Sequence, residues 1–251
     1  MYLRYTASGC IIISPKDAPR RIVDAMLATG YDEEFCLSLC FDPPFIARLM
    51  EAGFLVMSAR IGGEEDAFIL LPKLHLVRSA LFFENLHIKK SIKPFLGRYE
   101  LRYDADFDYI VDRCVQIHGD DWLTPPLVGA IRDIRAAADK KARTAEKSAG
   151  GARPVSFGLY RKGRLVAGEF GVTAGRVYTS YSGYYDENNA GTAQLVLTTQ
   201  YLRGRGFAFF DLGMPLDYKR DLGATDISPE EFVKRFREGQ TIPDKRIETE
   251  N

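Results

Sequence analysis

The sequence carries no excess charge of either sign: 34 Lys and Arg stand against 34 Asp and Glu in 251 residues. A polyanionic partner must therefore be held by a local basic patch, because the field of the whole protein supplies no attraction. Metal-binding residues are equally sparse. Cys10, Cys36, Cys40 and Cys114 form no Cys-x-x-Cys pair and no zinc-ligand series with His75, His87 and His118, so no metal site is expected and the thiols are expected to be reduced and mostly buried. No apolar run reaches the length of a membrane-crossing helix; IIIS and FILLP are strand-sized. The start MYLRYTASG lacks a charged-then-apolar signal pattern. Together these absences predict a soluble cytoplasmic protein with no membrane partner, expected to be a monomer. What is present, 46% hydrophobic and 12% aromatic residues, suffices for one large core or two modest ones.

Residues 1–96 read as a mixed region. PRRIVDAMLATG places Ile22, Val23, Met26 and Leu27 at helical spacing, and PPFIARLMEAG does the same with Phe45, Ile46, Leu49 and Met50 between an initial proline and Gly53. FLVMSARI, AFILLP and LVRSALFF are strand-like, with IGGEED as the loop between the first two.

From residue 97 the pattern is more regular. DADFDYIVDRCVQIHG puts Phe107, Ile110, Val111 and Cys114 on one helical stripe, and TPPLVGAIRDIRAAADKK predicts a second helix with Thr124 as its cap. KKARTAEKSAGGARP has lost its apolar content and is expected to be an exposed loop. PVSFGLYRKG, LVAGEFGVT and RVYTSYSGYY then predict an antiparallel meander, followed by the helix TAQLVLTTQYLRGRG and the strand FAFFDLGM. A helix joining neighbouring strands usually leaves them parallel, with ligands collecting where the strand ends splay apart. Asp211 sits at the tip of that last apolar strand. It either faces such a cleft or caps the turn LGMP.

The order strand, strand, strand, helix, strand resembles the core of the GNAT acyltransferases. The expected fold class is therefore α+β: a GNAT-like domain over 97–251 with a smaller mixed α/β domain over 1–96.

Several stretches, read in order, resemble the leucyl/phenylalanyl-tRNA protein transferase family: CFDPPFIARLMEAGFLV, LHIKKSIKPF, DDWLTPPLVGAI, and the long run from RLVAGEFGVT to DYKRDLGA. The resemblance covers about residues 35 to 236. It implies transfer of an amino acid, of Leu/Phe type or with altered specificity, from aminoacyl-tRNA to the N-terminus of an acceptor protein. The donor ester is already activated, so no cofactor is implied. The resemblance gives Asp211 the task of orienting and electrostatically assisting the attacking amine. Tyr181 stands where the family has Glu, and Gly213 where it has Gln. The donor pocket would comprise Glu169, Tyr178, Thr198, Phe210, Leu212 and Gly213, with Glu169 replacing an apolar residue, unless strand alternation turns Glu169 outward to solvent. Trp122 would stack on the terminal adenosine, while Met57 replaces a second family tryptophan. Lys89, Lys90, Lys93 and Arg98, clustered within LHIKKSIKPFLGR, would meet tRNA phosphates.

Two rival readings remain open. NNAGTA is similar to part of a pyrophosphate loop, which would suit an acetyl-CoA-dependent N-acyltransferase. Gly213 and Tyr181 also permit a non-catalytic module that binds aminoacyl-tRNA or a protein N-terminus.

Overall fold

The computed structural model describes residues 3–62, 67–143 and 151–241. Most of the IGGEED loop and the centre of KKARTAEKSAGGARP lie outside the described residues. In chain order the elements are β1 (Arg4–Tyr5), β2 (Ile11–Ile12), α1 (Pro19–Thr29), β3 (Cys36–Leu37), α2 (Pro43–Glu51), β4 (Leu55–Arg60), β5 (Phe68–Lys73) and β6 (Arg78–Leu81). Then follow α3 (Lys93–Leu96), β7 (Glu100–Tyr103), α4 (Phe107–His118), α5 (Pro125–Arg143), β8 (Arg153–Arg161), β9 (Arg164–Ala174) and β10 (Val177–Tyr185). The chain closes with α6 (Ala190–Gly204), β11 (Phe209–Gly213), α7 (Asp217–Asp221), β12 (Thr225–Ile227) and α8 (Pro229–Thr241). The class is mixed α+β.

Local chemistry accounts for the clearest helix of the amino-terminal region. Pro43 and Pro44 occupy the first turn of α2, where backbone amides have no intrahelical partner, and the Asp42 carboxylate accepts the amide of Phe45 at 3.1 Å. The helix buries Phe45, Ile46, Leu49 and Met50 and gives way to Gly53 at φ +99°. Thr124 stands at the head of α5, where its carbonyl accepts the Val128 amide at 3.0 Å, and its hydroxyl shares a hydrogen bond of 2.8 Å with that of Ser58 on β4.

A seven-stranded sheet in the order β12-β6-β11-β10-β9-β8-β7 organises the molecule. The meander β8–β9–β10 is antiparallel, and β11, reached through α6, pairs parallel with β10. The strand LVRSALFF, in the first third of the chain, enters this sheet as β6, antiparallel to both β11 and β12. β4 and β5 form a separate hairpin, and β1–β3 a small third sheet.

Strand alternation divides the core between the two sheet faces. On one face Phe170, Val172, Val177 and Phe209 pack with Phe45, Ile46, Ile110, Val111 and Phe232, from α2, α4 and α8. On the other, Phe157, Tyr178, Phe210 and Leu212 pack against Val196 and Leu202 of α6. Asp42→Ala should lower the unfolding free energy by about 1 kcal/mol in urea titrations while Asp42→Asn stays close to wild type, since only the former removes the helix cap.

Candidate active site

The only parallel strand pair of the large sheet is short. β10 and β11 are in register at Val177–Phe209, Tyr178–Phe210 and Thr179–Asp211, and there the pairing stops. β10 then bulges between Ser180 and Ser182 and continues against β9 alone. β11 bulges between Asp211 and Gly213 and continues against β6. The two strands therefore cease to pair immediately beyond Asp211, and this opening of the strand pair is flanked by Ser180 and Tyr181 on β10 and by Leu212 and Gly213 on β11.

Asp211 is fully buried at the vertex of this opening. Its Oδ1 accepts Arg78 Nε at 2.8 Å and the Gly213 amide at 3.0 Å; its Oδ2 accepts Arg78 Nη2 at 2.6 Å and Thr179 Oγ1 at 2.8 Å. Of the two alternatives, the structure shows the turn cap, in the bond from the Gly213 amide, with the carboxylate fully buried and its other bonds taken by Arg78 and Thr179. Gly213 takes φ +73°, a left-handed conformation that glycine adopts without strain. Arg78 is also buried, lies 4.4 Å from the Phe232 ring centroid, and keeps Nη1 without a hydrogen-bond partner among the described residues.

Tyr181, in the β10 bulge, packs at 6.1 Å from Phe170 on the face that holds Asp211. Its oxygen accepts the buried amide of Val56 at 3.1 Å, which ties β4 to the opening. Burial raises the Tyr181 pKa further above its already high ordinary value, so the hydroxyl is neutral at physiological pH.

Two basic groups line the same region. Lys219 is buried, and its ammonium donates to the carbonyls of Leu212 at 2.6 Å and Met214 at 2.9 Å, clamping the end of β11. Burial pushes it down to about 8, against the pull of Asp211 and Glu169. His75 is buried and pushed down to about 2 by desolvation, with Arg78, Lys73 and Lys219 adding to the effect, so it is a neutral imidazole here. Sequence reasoning gave no site role to Arg78, Lys219 or His75. The available signal was a lone arginine inside the apolar run LVRSALFF.

Five of the six expected pocket residues gather on the opposite, α6 face, whereas Gly213 sits on the Asp211 side, facing Leu55 and His75. Glu169 does not turn to solvent: it is 3% exposed and opposes Phe157 on β8 and Gly183 on β10. Tyr178, Thr198, Phe210 and Leu212 are buried on the same side. Desolvation raises Glu169 to about 7, with Tyr178, Lys219 and Ser180 opposing the shift. The sheet thus separates Asp211 and Tyr181 from Glu169 and Tyr178, and the two halves communicate where the strands part, because Lys219 feels both Asp211 and Glu169.

The remaining residues lie apart. Trp122 is half-buried against the first core, and its carbonyl accepts both the amide and the hydroxyl of Ser58 at 3.0 Å, which places it beside Met57 on β4. Lys89, Lys90, Lys93 and Arg98 are all exposed on and around α3, which packs towards α6; Lys89 pairs with Asp221 at 2.6 Å and Arg98 lies over Phe95. At the NNAGTA turn, Gly191 gives close approach to the Tyr185 ring, where a Cβ would come within 2.8 Å. Asp186 and Glu187 precede that helix start, paired with Arg113 at 2.9 Å and with Arg161 and Arg164 at 3.2 and 2.6 Å.

Arg78→Met, which strands the Asp211 charge in the core, should destabilise the fold by about 3–5 kcal/mol, whereas Arg78→Met with Asp211→Leu should recover much of that loss. Urea denaturation of the three proteins makes the comparison. Between about pH 4.5 and 7 folded Glu169 holds a proton that the unfolded chain releases, so its contribution to stability falls as pH rises through that window. Glu169→Gln should flatten this decline in a series of melting temperatures.

Comparison with known proteins gives this geometry a lineage. The family model for leucyl/phenylalanyl-tRNA protein transferase matches residues 80–237, a span narrower than the resemblance read from about residue 35. Leucyl/phenylalanyl-tRNA–protein transferase of Pseudomonas entomophila (strain L48) is 29% identical over 161 residues, covering 62% of this chain and 65% of the relative. That of Pectobacterium carotovorum subsp. carotovorum (strain PC1) is 25% identical over 168 residues, covering 66% of each. The match thus spans about two thirds of these relatives. Among solved structures, a GCN5-related N-acetyltransferase from Kribbella flavida aligns with a TM-score of 0.34 at 14% identity, covering 86% of this chain and 74% of that one, too distant to assign a fold. By the extent of the family match, the chain belongs to the leucyl/phenylalanyl-tRNA protein transferase family.

Proposed function

We propose that this protein takes an aminoacyl group from a charged tRNA and passes it to the amino group at the N-terminus of an acceptor protein. The observation that carries the reading is that the family match over residues 80–237 includes the whole opening between β10 and β11, with Asp211, Tyr181 and Lys219 around it. The proposed fold is a GNAT-like unit over 97–251 with a smaller mixed unit over 1–96, β6 crossing from the second into the sheet of the first. The antiparallel meander followed by a helix and a parallel strand supports it. The protein would act as a cytoplasmic monomer, where charged tRNA is available.

The chemistry requires little of the protein beyond placement. The neutral amine attacks the ester carbonyl, a C–N bond forms, the amine loses a proton, and the C–O bond to the terminal ribose breaks to release its hydroxyl. An aminoacyl ester is already activated, so the reaction needs no cofactor. Asp211, with four hydrogen bonds already accepted, acts through its fixed charge and not as a proton acceptor. Tyr181 offers a neutral hydroxyl to the reacting groups. Glu169, Tyr178, Thr198, Phe210, Leu212 and Gly213 receive the donor side chain, Trp122 stacks on the terminal adenosine, and Lys89, Lys90, Lys93 and Arg98 meet the tRNA backbone.

Incubating the protein with tRNA charged with labelled amino acids and with peptides of different first residues should yield labelled peptide, and acetyl-CoA in place of tRNA should yield none. Acetylation without aminoacyl transfer would overturn the reading. Lys90→Ala with Lys93→Ala should make the log–log salt dependence of tRNA binding shallower by about 1–2, as each lost phosphate contact removes part of the counterion release. Trp122→Ala should weaken binding of the adenosine end by about 1–3 kcal/mol while Trp122→Phe retains most of it, with melting curves confirming that both variants fold.

A further inference from the structure

We propose that the turn joining β8 to β9, from Arg161 to Arg164, is a second binding element for the backbone of the donor RNA and forms one surface with the basic residues around α3. This rests on the aminoacyl-transfer reading above and specifies where the tRNA lies on the protein.

The turn holds charge at a fixed point. Tyr160 pairs with Leu165 and Arg161 with Arg164, so Lys162 and Gly163 alone reverse the chain. Both take left-handed backbone conformations, with φ +50° and +77°, as the central residues of a tight hairpin turn must if it is to match the twist of its strands. Glycine occupies such a position without strain, and Asn or Asp is the usual residue at the other. Lysine has no local hydrogen bond to offer there and sits at a conformational cost. What it adds is an ammonium at the outermost point of the hairpin. All four residues are exposed. Arg161 and Arg164 share a single carboxylate, Glu187, at 3.2 and 2.6 Å, and Lys162 forms no ion pair among the described residues.

A common apolar cluster fixes this turn relative to α3. Leu96 of α3, with Tyr99 and Leu101 around the start of β7, packs against Leu159 and Val166 at the base of the hairpin. β7 pairs antiparallel with β8 through Glu100–Tyr160 and Leu101–Leu159, so following the ladder back from Glu100 brings Arg98 alongside the turn. With the four basic residues around α3 and Arg102 of β7, the turn completes a group of eight cations. Three carboxylates pair with them: Asp221 with Lys89, Glu100 with Arg102, and Glu187 with the two arginines of the turn. In a chain with equal numbers of acidic and basic residues, such an excess at one corner of the sheet is a local field for a polyanion.

Topology places the turn relative to the reaction. β8, β10 and β11 run in one direction, so the turn at the end of β8 lies at the same end of the sheet as the parting of β10 and β11. It is not beside that parting. Val172 on β9 is level with Thr179 and hence with Asp211, and Arg164 lies eight residues before it, roughly 25 Å along the strand. An aminoacyl ester held at Asp211 leaves its own adenosine short of the turn, and the phosphates that reach it belong to nucleotides further along the donor. A polymer charged at regular intervals meets both groups of cations at once, which a small ligand or a single acidic side chain cannot do.

Lys162→Asn keeps a residue that favours the turn while removing its charge, and Arg164→Gln removes a second one. Binding of deacylated tRNA by the wild type and the double variant is titrated over a range of salt concentrations, alongside binding of non-hydrolysable 3′-leucylamido-adenosine. Melting curves establish folding, and transfer assays give the KM for charged tRNA and for the acceptor peptide. The variant should bind tRNA more weakly at low salt, with a log–log salt slope shallower by about 1–2, and should bind the short analogue as the wild type does. An unchanged slope in a folded variant, an equal loss of affinity for tRNA and analogue, or no tRNA binding by the wild type would overturn the inference. So would normal tRNA binding with a raised KM for the acceptor peptide, which would assign the turn to the acceptor protein. A shallower tRNA slope in a protein that transfers no amino acid from any charged tRNA would uphold the surface and overturn the proposed reaction.

Discussion

The buried pair of Arg78 and Asp211 is the constraint on which the site depends. Two unit charges have been taken out of water, and the arrangement is tolerable only because the carboxylate accepts four hydrogen bonds and the guanidinium meets it with two parallel donors. Those bonds reach β6, β10 and the end of β11 itself, so one carboxylate fixes the place where the parallel strands cease to pair. A one-residue slip of β11 would carry Asp211 to the α6 face and leave Arg78 stranded. The ion pair therefore sets register, and register sets where the opening falls.

The opening is held from both flanks. Lys219 draws in the carbonyls at the end of β11, and the Tyr181 hydroxyl draws in the amide of Val56. Through that second bond, and through the joint of Ser58 with Trp122 and Thr124, β4 becomes part of the wall. The amino-terminal hairpin is thus bonded directly to Tyr181, and the core joins the two, because Val56 and Leu70 share one cluster with Phe209 and Phe232. A change in the hairpin can alter the site without touching a substrate.

The two faces of the sheet divide the work. One carries fixed charge: Asp211 with Arg78, backed by the aromatic ring of Phe232. The other carries Glu169, buried against Tyr178 and Ser180 among aromatic and aliphatic side chains. A buried network that is complete rigidifies a fold, whereas an incomplete one costs stability unless a ligand completes it.

Much of this was legible in the chain. Periodicity located α1, α2, α4, α5 and α6 and the meander strands, because each buries a continuous stripe that repeats at the spacing of its own element. The acid within FAFFDLGM marked the point where the parallel pairing ends, although the strand itself runs on to Gly213. Short elements such as β7, α7 and β12 were not legible, since a few residues carry no period and form only because a neighbouring strand or helix supplies their bonds. The partner of Asp211 was also hidden: Arg78 lies 133 positions away, and only the insertion of β6 beside β11 brings the two together. The sequence by itself determined which residues are polar within apolar runs, because that is composition and spacing. The tertiary structure decided which partner each of them meets, because pairing depends on the register and face of strands that are distant in the chain.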